Sequence, residues 1–268
     1  MIDFDQFRDT MVEACTKGQQ RKFYDTKAKT WYKIDTRGCN QGLAEEFVSF
    51  ISAEIKNIKI INYTAVSGIL NEELVNGCCS HNMYGEDVQF ITLKQILKAG
   101  GYNESILTKY SKIEDNIRAV VQAVFYVTGT NILNYLRDNI FLDALILNED
   151  RHYKNMGLFF VDNKYHIAPI FDNGNSLFCV NSVYDRDSSL ARNIDILSHM
   201  QVRPFDASYD EQVEALFRLK VEPLSIDYNR MKHLIHSYQN INYPKEQVRL
   251  VKDVMLNRLE YYKGYLYV

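Results

Sequence analysis

Asp150, Asn155 and Asp172 lie within Leu145–Phe178, LILNEDRHYKNMGLFFVDNKYHIAPIFDNGNSLF, and their types and order fit phosphoryl transfer. The D-x-x-x-x-N spacing supplies a carboxylate to orient an attacking hydroxyl and an amide oxygen to hold a metal ion, with a later aspartate as second ligand. A transferring phosphoryl group is anionic, so its catalysis is largely positioning plus cationic stabilisation, and carboxylates enter chiefly to hold Mg²⁺ against the phosphates. Any one of the three alone reads as a turn cap, a loop residue or a solvated carboxylate. Together they need elements to position them. Met156 to Phe160 alternates apolar side chains, Asp162-Asn163 is turn chemistry, and Lys164 to Ile167 returns as a second strand. That hairpin is expected to bring Asp172 back beside Asp150.

NEDRHYKN followed by APIFDNG resembles the signature of the HipA-like serine/threonine kinases, a bacterial family in which D-R-H-x-x-N replaces the H-R-D order of eukaryotic kinases. Phosphoinositide lipid kinases share D-R-H-x-x-N but usually carry D-F-G where this chain has Asp172-Asn173-Gly174. The resemblance covers roughly Trp31 to Phe178. It implies a bilobal, protein-kinase-like α+β fold, with a small β-sheet lobe holding one helix and a mainly α-helical second lobe. It also implies ATP and Mg²⁺ as cofactors and a serine or threonine hydroxyl of a protein as acceptor, with autophosphorylation. By the same resemblance Asp150 is the catalytic base, Asn155 and Asp172 are the Mg²⁺ ligands on the nucleotide, and His152 braces the loop. The chain is expected to lack room for the N-terminal extension of full-length HipA toxins, which weakens the inference of a DNA-binding antitoxin partner and leaves one possible but unsupported.

Thr30 to Ile55, TWYKIDTRGCNQGLAEEFVSFISAEI, reads as strand, loop and helix. Trp31 to Ile34 places Lys33 on one face of a short strand, as an exposed lysine. Leu43, Phe47, Phe50, Ile51 and Ile55 then form a helical apolar stripe. Kinases need a strand lysine on the α and β phosphates, held by a helix glutamate. The resemblance pairs Lys33 with Glu45, while Glu46 lies nearer the stripe and is the alternative. A Gly-rich phosphate loop should precede Lys33, yet the only glycine there is Gly18, in Thr16-Lys17-Gly18-Gln19-Gln20-Arg21-Lys22. A basic turn there would offer backbone N–H groups with Lys17, Arg21 or Lys22 to phosphates. This departure keeps open a pseudokinase or nucleotide-dependent binding module, and D-R-H-x-x-N alone leaves a small-molecule or lipid kinase as a further alternative.

The 268 residues, 46% hydrophobic and 24% charged, suffice for a substantial core. A net charge of −3 and no basic block give no argument for nucleic-acid or membrane-surface binding. No apolar run is long enough to span a bilayer. The acidic start MIDFDQFRDT is unlike a secretory signal, so a cytoplasmic protein is expected. Cys15, Cys39, Cys78, Cys79 and Cys179 are odd in number and scattered, which predicts reduced thiols. Cys78-Cys79-Ser80-His81 lacks a second ligand pair at zinc-finger spacing and, bracketed by Gly77 and Gly85, reads as the inter-lobe connection. The expected lobes are residues 1–87 and 88–268.

Helical signals follow. Leu93, Ile96 and Leu97 open one helix, Ser208 and Glu211 form a capping box ahead of Val213, Leu216 and Phe217, and Pro244 starts a helix with inner face Val248, Val251, Met255, Leu259 and Tyr262. Asn181 to Asn193 is expected as a surface loop after Asp172, where kinases place an activation segment.

Overall fold

A computed structural model describes residues 1–10, 20–82, 87–103, 109–180 and 184–265. Gly18 and Lys17, the proposed phosphate turn, lie outside the described residues, as does Gly85. The chain is α+β.

The first part of the chain builds a five-stranded sheet. Its strands are β1 (Ile2–Asp3), β2 (Arg21–Asp25), β3 (Thr30–Ile34), β5 (Thr64–Leu70) and β6 (Glu73–His81), with the short β4 (Ile55–Lys56) outside it. Their order is β1-β5-β6-β3-β2. Asp25 closes the β2–β3 hairpin by accepting the N–H groups of Lys27 and Ala28. Asn71 and Glu72, both at positive φ, turn β5 into β6. Two sequence expectations change here. Cys78 to His81 is not a connection but the end of β6, with Cys78 facing Lys33 across the β3–β6 ladder. Arg21 and Lys22 are not turn residues but belong to β2, where Lys22 is the antiparallel partner of Lys33.

Helix α1 (Gln41–Ile51) lies against this sheet with Leu43, Phe47, Val48 and Ile51 fully buried. Each such large side chain contributes roughly 1.5–3 kcal/mol of burial. The helix stops at Ile51, so Ile55 belongs to β4 rather than to the helical stripe, and Phe50 is only partly buried. Two glycines let α1 and the strands approach. A Cβ on Gly42 would lie 2.4 Å from the Gly77 carbonyl carbon, and one on Gly77 would lie 2.0 Å from the Lys33 oxygen. A side chain on Gly42 would push α1 off β6, and one on Gly77 would push β6 off β3.

The remainder is mostly helical. After β7 (Gln89–Thr92) come α2 (Leu93–Ala99), α3 (Ile113–Thr128) and α4 (Leu133–Ile146). Thr92 and Gln95 cap α2 reciprocally, and Gly129 in the left-handed region ends α3. Helix α4 is buried almost all round from Tyr135 to Ile146, as a central helix must be. Strands β8 (Gly157–Val161) and β9 (Lys164–Ile167) form the expected hairpin about Asp162 and Asn163, both at positive φ, and β7 adds a third strand beside β8.

Beyond the hairpin come α5 (Leu190–Ser198), α6 (Tyr209–Arg218), β10 (Ser225–Ile226), α7 (Tyr228–Ser237) and α8 (Lys245–Tyr261). Strand β10 pairs with β4. The Ser208–Glu211 capping box forms, and Pro244 sits one residue before α8, whose Val248, Val251, Met255 and Leu259 are buried with Tyr262 just past its end. Asn193 does not lie in a loop. It is inside α5, buried, and holds Asp185 through that residue's N–H and carbonyl. Among the described residues no helix is long and apolar enough to cross a membrane.

Candidate active site

Lys33 is buried, not the exposed strand lysine that its sequence context suggests. Its ammonium donates to Glu45 at 2.7 Å and to Asp172 at 2.9 Å, and lies 4.7 Å from the centre of the Tyr63 ring. Burial works against the charge, but Asp172 and Glu45 more than offset it and hold the ammonium well above the ordinary lysine range. Burial would likewise raise Asp172, yet Lys33, then Lys22 and Arg151, hold its carboxyl well below the ordinary carboxylate range. Each charge of the pair thus favours the other.

Glu45, not Glu46, is the partner of Lys33. Glu45 sits one turn into α1 on the face toward β3, and its side chain is fully buried. Glu46 faces the other way, accepting the Ala65 N–H at 2.9 Å, the Tyr238 hydroxyl at 2.7 Å and the Asn240 amide. Lying near the apolar stripe leaves Glu46 half-buried, away from Lys33.

The backbone around Asp172 is pinned on both sides. Glu45 uses its second oxygen to accept the Asn173 N–H at 3.0 Å, and Arg151 donates to the Phe171 carbonyl at 2.6 Å. Asp172 itself has φ of 62°, the left-handed region, which an L residue enters at some cost and keeps only when its surroundings hold it. Upstream, Ile170 exchanges hydrogen bonds with Lys59 and Ile61, tying this segment to the stretch before β5.

Arg151 had no role assigned from sequence beyond its place in the motif. The structure makes it the centre of the loop. It is fully buried, donates to both oxygens of Asp143 on α4, and reaches Asn173 Oδ1 at 2.6 Å as well as the Phe171 carbonyl. Its planar fork suits this multiple recognition, which a lysine could not reproduce. The sequence signal that could have found it is Asp143, the one charged residue in the apolar run Ile140–Leu147. Asn148 also donates to Asp143 and so fixes the turn into the loop.

Asp150 lies at the surface end of the loop. It accepts from Asn175 and from Arg203, each at 3.3 Å. The Arg203 pair is exposed, and such pairs contribute only about 0–1 kcal/mol, so it leaves Asp150 accessible to an acceptor. Asn155 is buried and donates its amide to the Asp150 carbonyl at 3.2 Å. The main-chain carbonyl of His152 accepts the Asn155 N–H at 2.8 Å. Its ring Nε2 is 4.0 Å from Asp150.

The donor set of one carboxylate and one amide oxygen fits Mg²⁺, a hard cation that keeps several of its waters. Among the described residues no group of three or more His, Cys, Asp or Glu side chains gathers to hold a metal by itself.

No protein-family model matches the chain, and no curated protein matches it. Among solved structures it is similar to the Helicobacter pylori proinflammatory kinase CtkA, with a TM-score of 0.57 and 15% identity over 99% of this chain and 95% of that one. It also matches a Shewanella oneidensis MR-1 toxin–antitoxin complex of HipA, HipB and operator DNA, at a TM-score of 0.46 and 15% identity over 96% of this chain and 63% of the other. The chain therefore shares the fold of the kinase CtkA, α+β with a small sheet and one helix set against a mainly helical part.

Proposed function

We propose that the chain is an ATP- and Mg²⁺-dependent serine/threonine protein kinase of the HipA-like kind, with lobes of residues 1–87 and 88–268. The observation that carries this reading is Lys33 held between Glu45 and Asp172. Kinase catalysis requires both the strand-lysine–helix-glutamate pair and the metal-binding aspartate in place. Here one buried ammonium touches both.

In this reading Lys33 receives the α and β phosphates, with Lys22 beside it on β2 adding positive potential. Asn155 and Asp172 would hold Mg²⁺, which would supply neutralisation of the phosphate charge. Asp150 orients the acceptor hydroxyl and takes its proton as the oxygen–phosphorus bond forms and the bond to the leaving ADP breaks. Arg151 and Glu45 act on the backbone of residues 171–173 and keep Asp172 aimed. The fold likeness to CtkA agrees with a kinase, while the acceptor class comes from the NEDRHYKN and APIFDNG motifs. Free thiols at Cys39, Cys78, Cys79 and Cys179 fit a reducing cytoplasm.

Labelled ATP with Mg²⁺, followed by intact mass, tests transfer. One added phosphate on the chain is the expected result for autophosphorylation, and phosphoproteomics of cells expressing wild type against Asp150→Asn identifies acceptors. Calorimetry showing no ATP binding at millimolar ligand with Mg²⁺ would remove the kinase reading altogether.

A further inference from the structure

The segment between α7 and α8, residues 238–243, lies far along the chain from the motifs yet grips α1 and the sheet. Tyr238 donates its hydroxyl to Glu46 and sets its ring against Phe47 and Phe50, with centroids 4.9 and 5.1 Å away. Asn240 donates to the same Glu46 oxygen. Asn242 donates to the Ala65 carbonyl on β5 and accepts from Ser67, while its own carbonyl accepts the Asn76 amide of β6. Tyr243 donates to Asp35 at 2.7 Å, and its hydroxyl lies 3.4 Å from the Gly77 oxygen. Both tyrosines are buried.

Asp35 is the pivot. It follows β3 two residues after Lys33, and its other oxygen accepts the N–H of Gly42 in the first turn of α1 at 2.7 Å. Glu45 and Glu46, neighbours on the helix, then reach different partners, one Lys33 and Asn173, the other Tyr238 and Asn240. The first turns of α1 are thereby clamped between the Lys33 cluster and the 238–243 segment. Gly42 and Gly77 permit the contact, since a Cβ on Gly42 would stand 2.5 Å from the Tyr243 hydroxyl oxygen.

We propose that residues 238–243 form a latch that sets the position of α1, and that Tyr238 and Tyr243 are positioning residues for phosphoryl transfer, acting through Glu46 and Asp35 on the grip of Glu45 on Lys33. The catalytic part of this inference rests on the kinase reading. The latch itself does not. Helix position is a control point of kinase activity because the lysine–glutamate pair forms only when the helix is seated.

Hydrogen exchange by mass spectrometry on the full chain, without nucleotide, reads the latch directly. Tyr243→Phe and Tyr238→Phe keep the rings and remove only the hydroxyls. Each is expected to speed exchange of amides 42–51 roughly threefold to tenfold, the factor that one hydrogen bond's net worth converts to, with β8 and β9 unchanged. Transfer should fall by a similar factor, and adding either change to Glu45→Gln should cause no further fall, because both act on one interaction. If Tyr243→Phe does not fold, Asn240→Ala, which removes a bond to Glu46, carries the same test. Unchanged α1 exchange in these variants overturns the latch whether or not the protein transfers phosphate. Faster exchange with an unchanged transfer rate, or losses that add fully to those of Glu45→Gln, overturns the positioning role. A wild type that shows α1 coupling but no transfer sinks the kinase reading and its positioning role together, while the exchange data uphold the latch.

Discussion

The Glu45 carboxylate lies 2.7 Å from the Lys33 ammonium with none of its own side-chain surface exposed, and its second oxygen holds the backbone of Asn173. One side chain thus joins β3, α1 and the segment that carries Asp172. The consequences of removing either partner follow from their burial.

Lys33→Met should cost stability as well as activity. Removing one member of a buried ion pair leaves the others uncompensated and costs about 3–5 kcal/mol, and here two carboxylates lose their cation. Denaturant unfolding should shift to markedly lower midpoint, together with loss of transfer. An exposed lysine would change stability by only about 0.5 kcal/mol, so an unmoved midpoint contradicts the buried cluster.

Asp150 and Asp172 should fail in different ways. Asp150→Asn removes a positioned base, typically a loss of about 10²- to 10⁴-fold in rate, and should leave ATP·Mg²⁺ affinity within a few-fold because the group matters chiefly in the transition state. Asp172→Asn should lose transfer together with Mg²⁺-dependent affinity. Calorimetry paired with single-turnover rates separates them, and the reverse pattern would overturn the roles.

Arg151 should tolerate neither apolar nor basic replacement. Arg151→Met leaves Asp143 charged and buried, a cost of about 3–5 kcal/mol. Arg151→Lys keeps the charge but cannot reach Asp143, the Phe171 carbonyl and Asn173 at once. The lysine variant is expected to fold with a lower melting temperature and weaker Mg²⁺-dependent nucleotide binding. Wild-type affinity in that variant would show that Asp172 does not depend on the Arg151 anchor.

Asp35 gives a pH signature. Burial is the main cause of a carboxyl pushed up to about 6 from 3.8; hydrogen bonds from Tyr243 and Gly42 partly oppose it, and the nearby Glu45 adds to it. Between about pH 4 and 6 the folded protein keeps a proton that the unfolded chain has released. This contribution to stability is full below the unfolded value and is lost as pH rises through the folded one. It amounts to up to about 3 kcal/mol between pH 4 and 7. Urea unfolding of Asp35→Asn should be less pH-dependent than wild type across that window. An identical slope in both would place the Asp35 titration elsewhere.

Local chemistry settled much of the protein before any fold was known. The β8–β9 hairpin followed from alternation and a turn pair that enters positive φ readily, the Ser208 capping box from its spacing, and the face of α8 from helical period. D-x-x-x-x-N and the later aspartate are short-range patterns too, so the candidate chemistry was legible as residue types. Distances across the chain were not. Lys33 on a five-residue strand looks solvated until β6, α1 and Asp172 close around it, and only that closure chooses Glu45 over Glu46. Cys78 to His81 carries no marker distinguishing a strand from a connection, since its partners lie in β3 and β5. Arg151 and the 238–243 latch act through carbonyls, amides and hydroxyls brought together from remote segments. Hydrogen bonds of that kind leave no periodicity in the sequence, and the tertiary structure alone decides them.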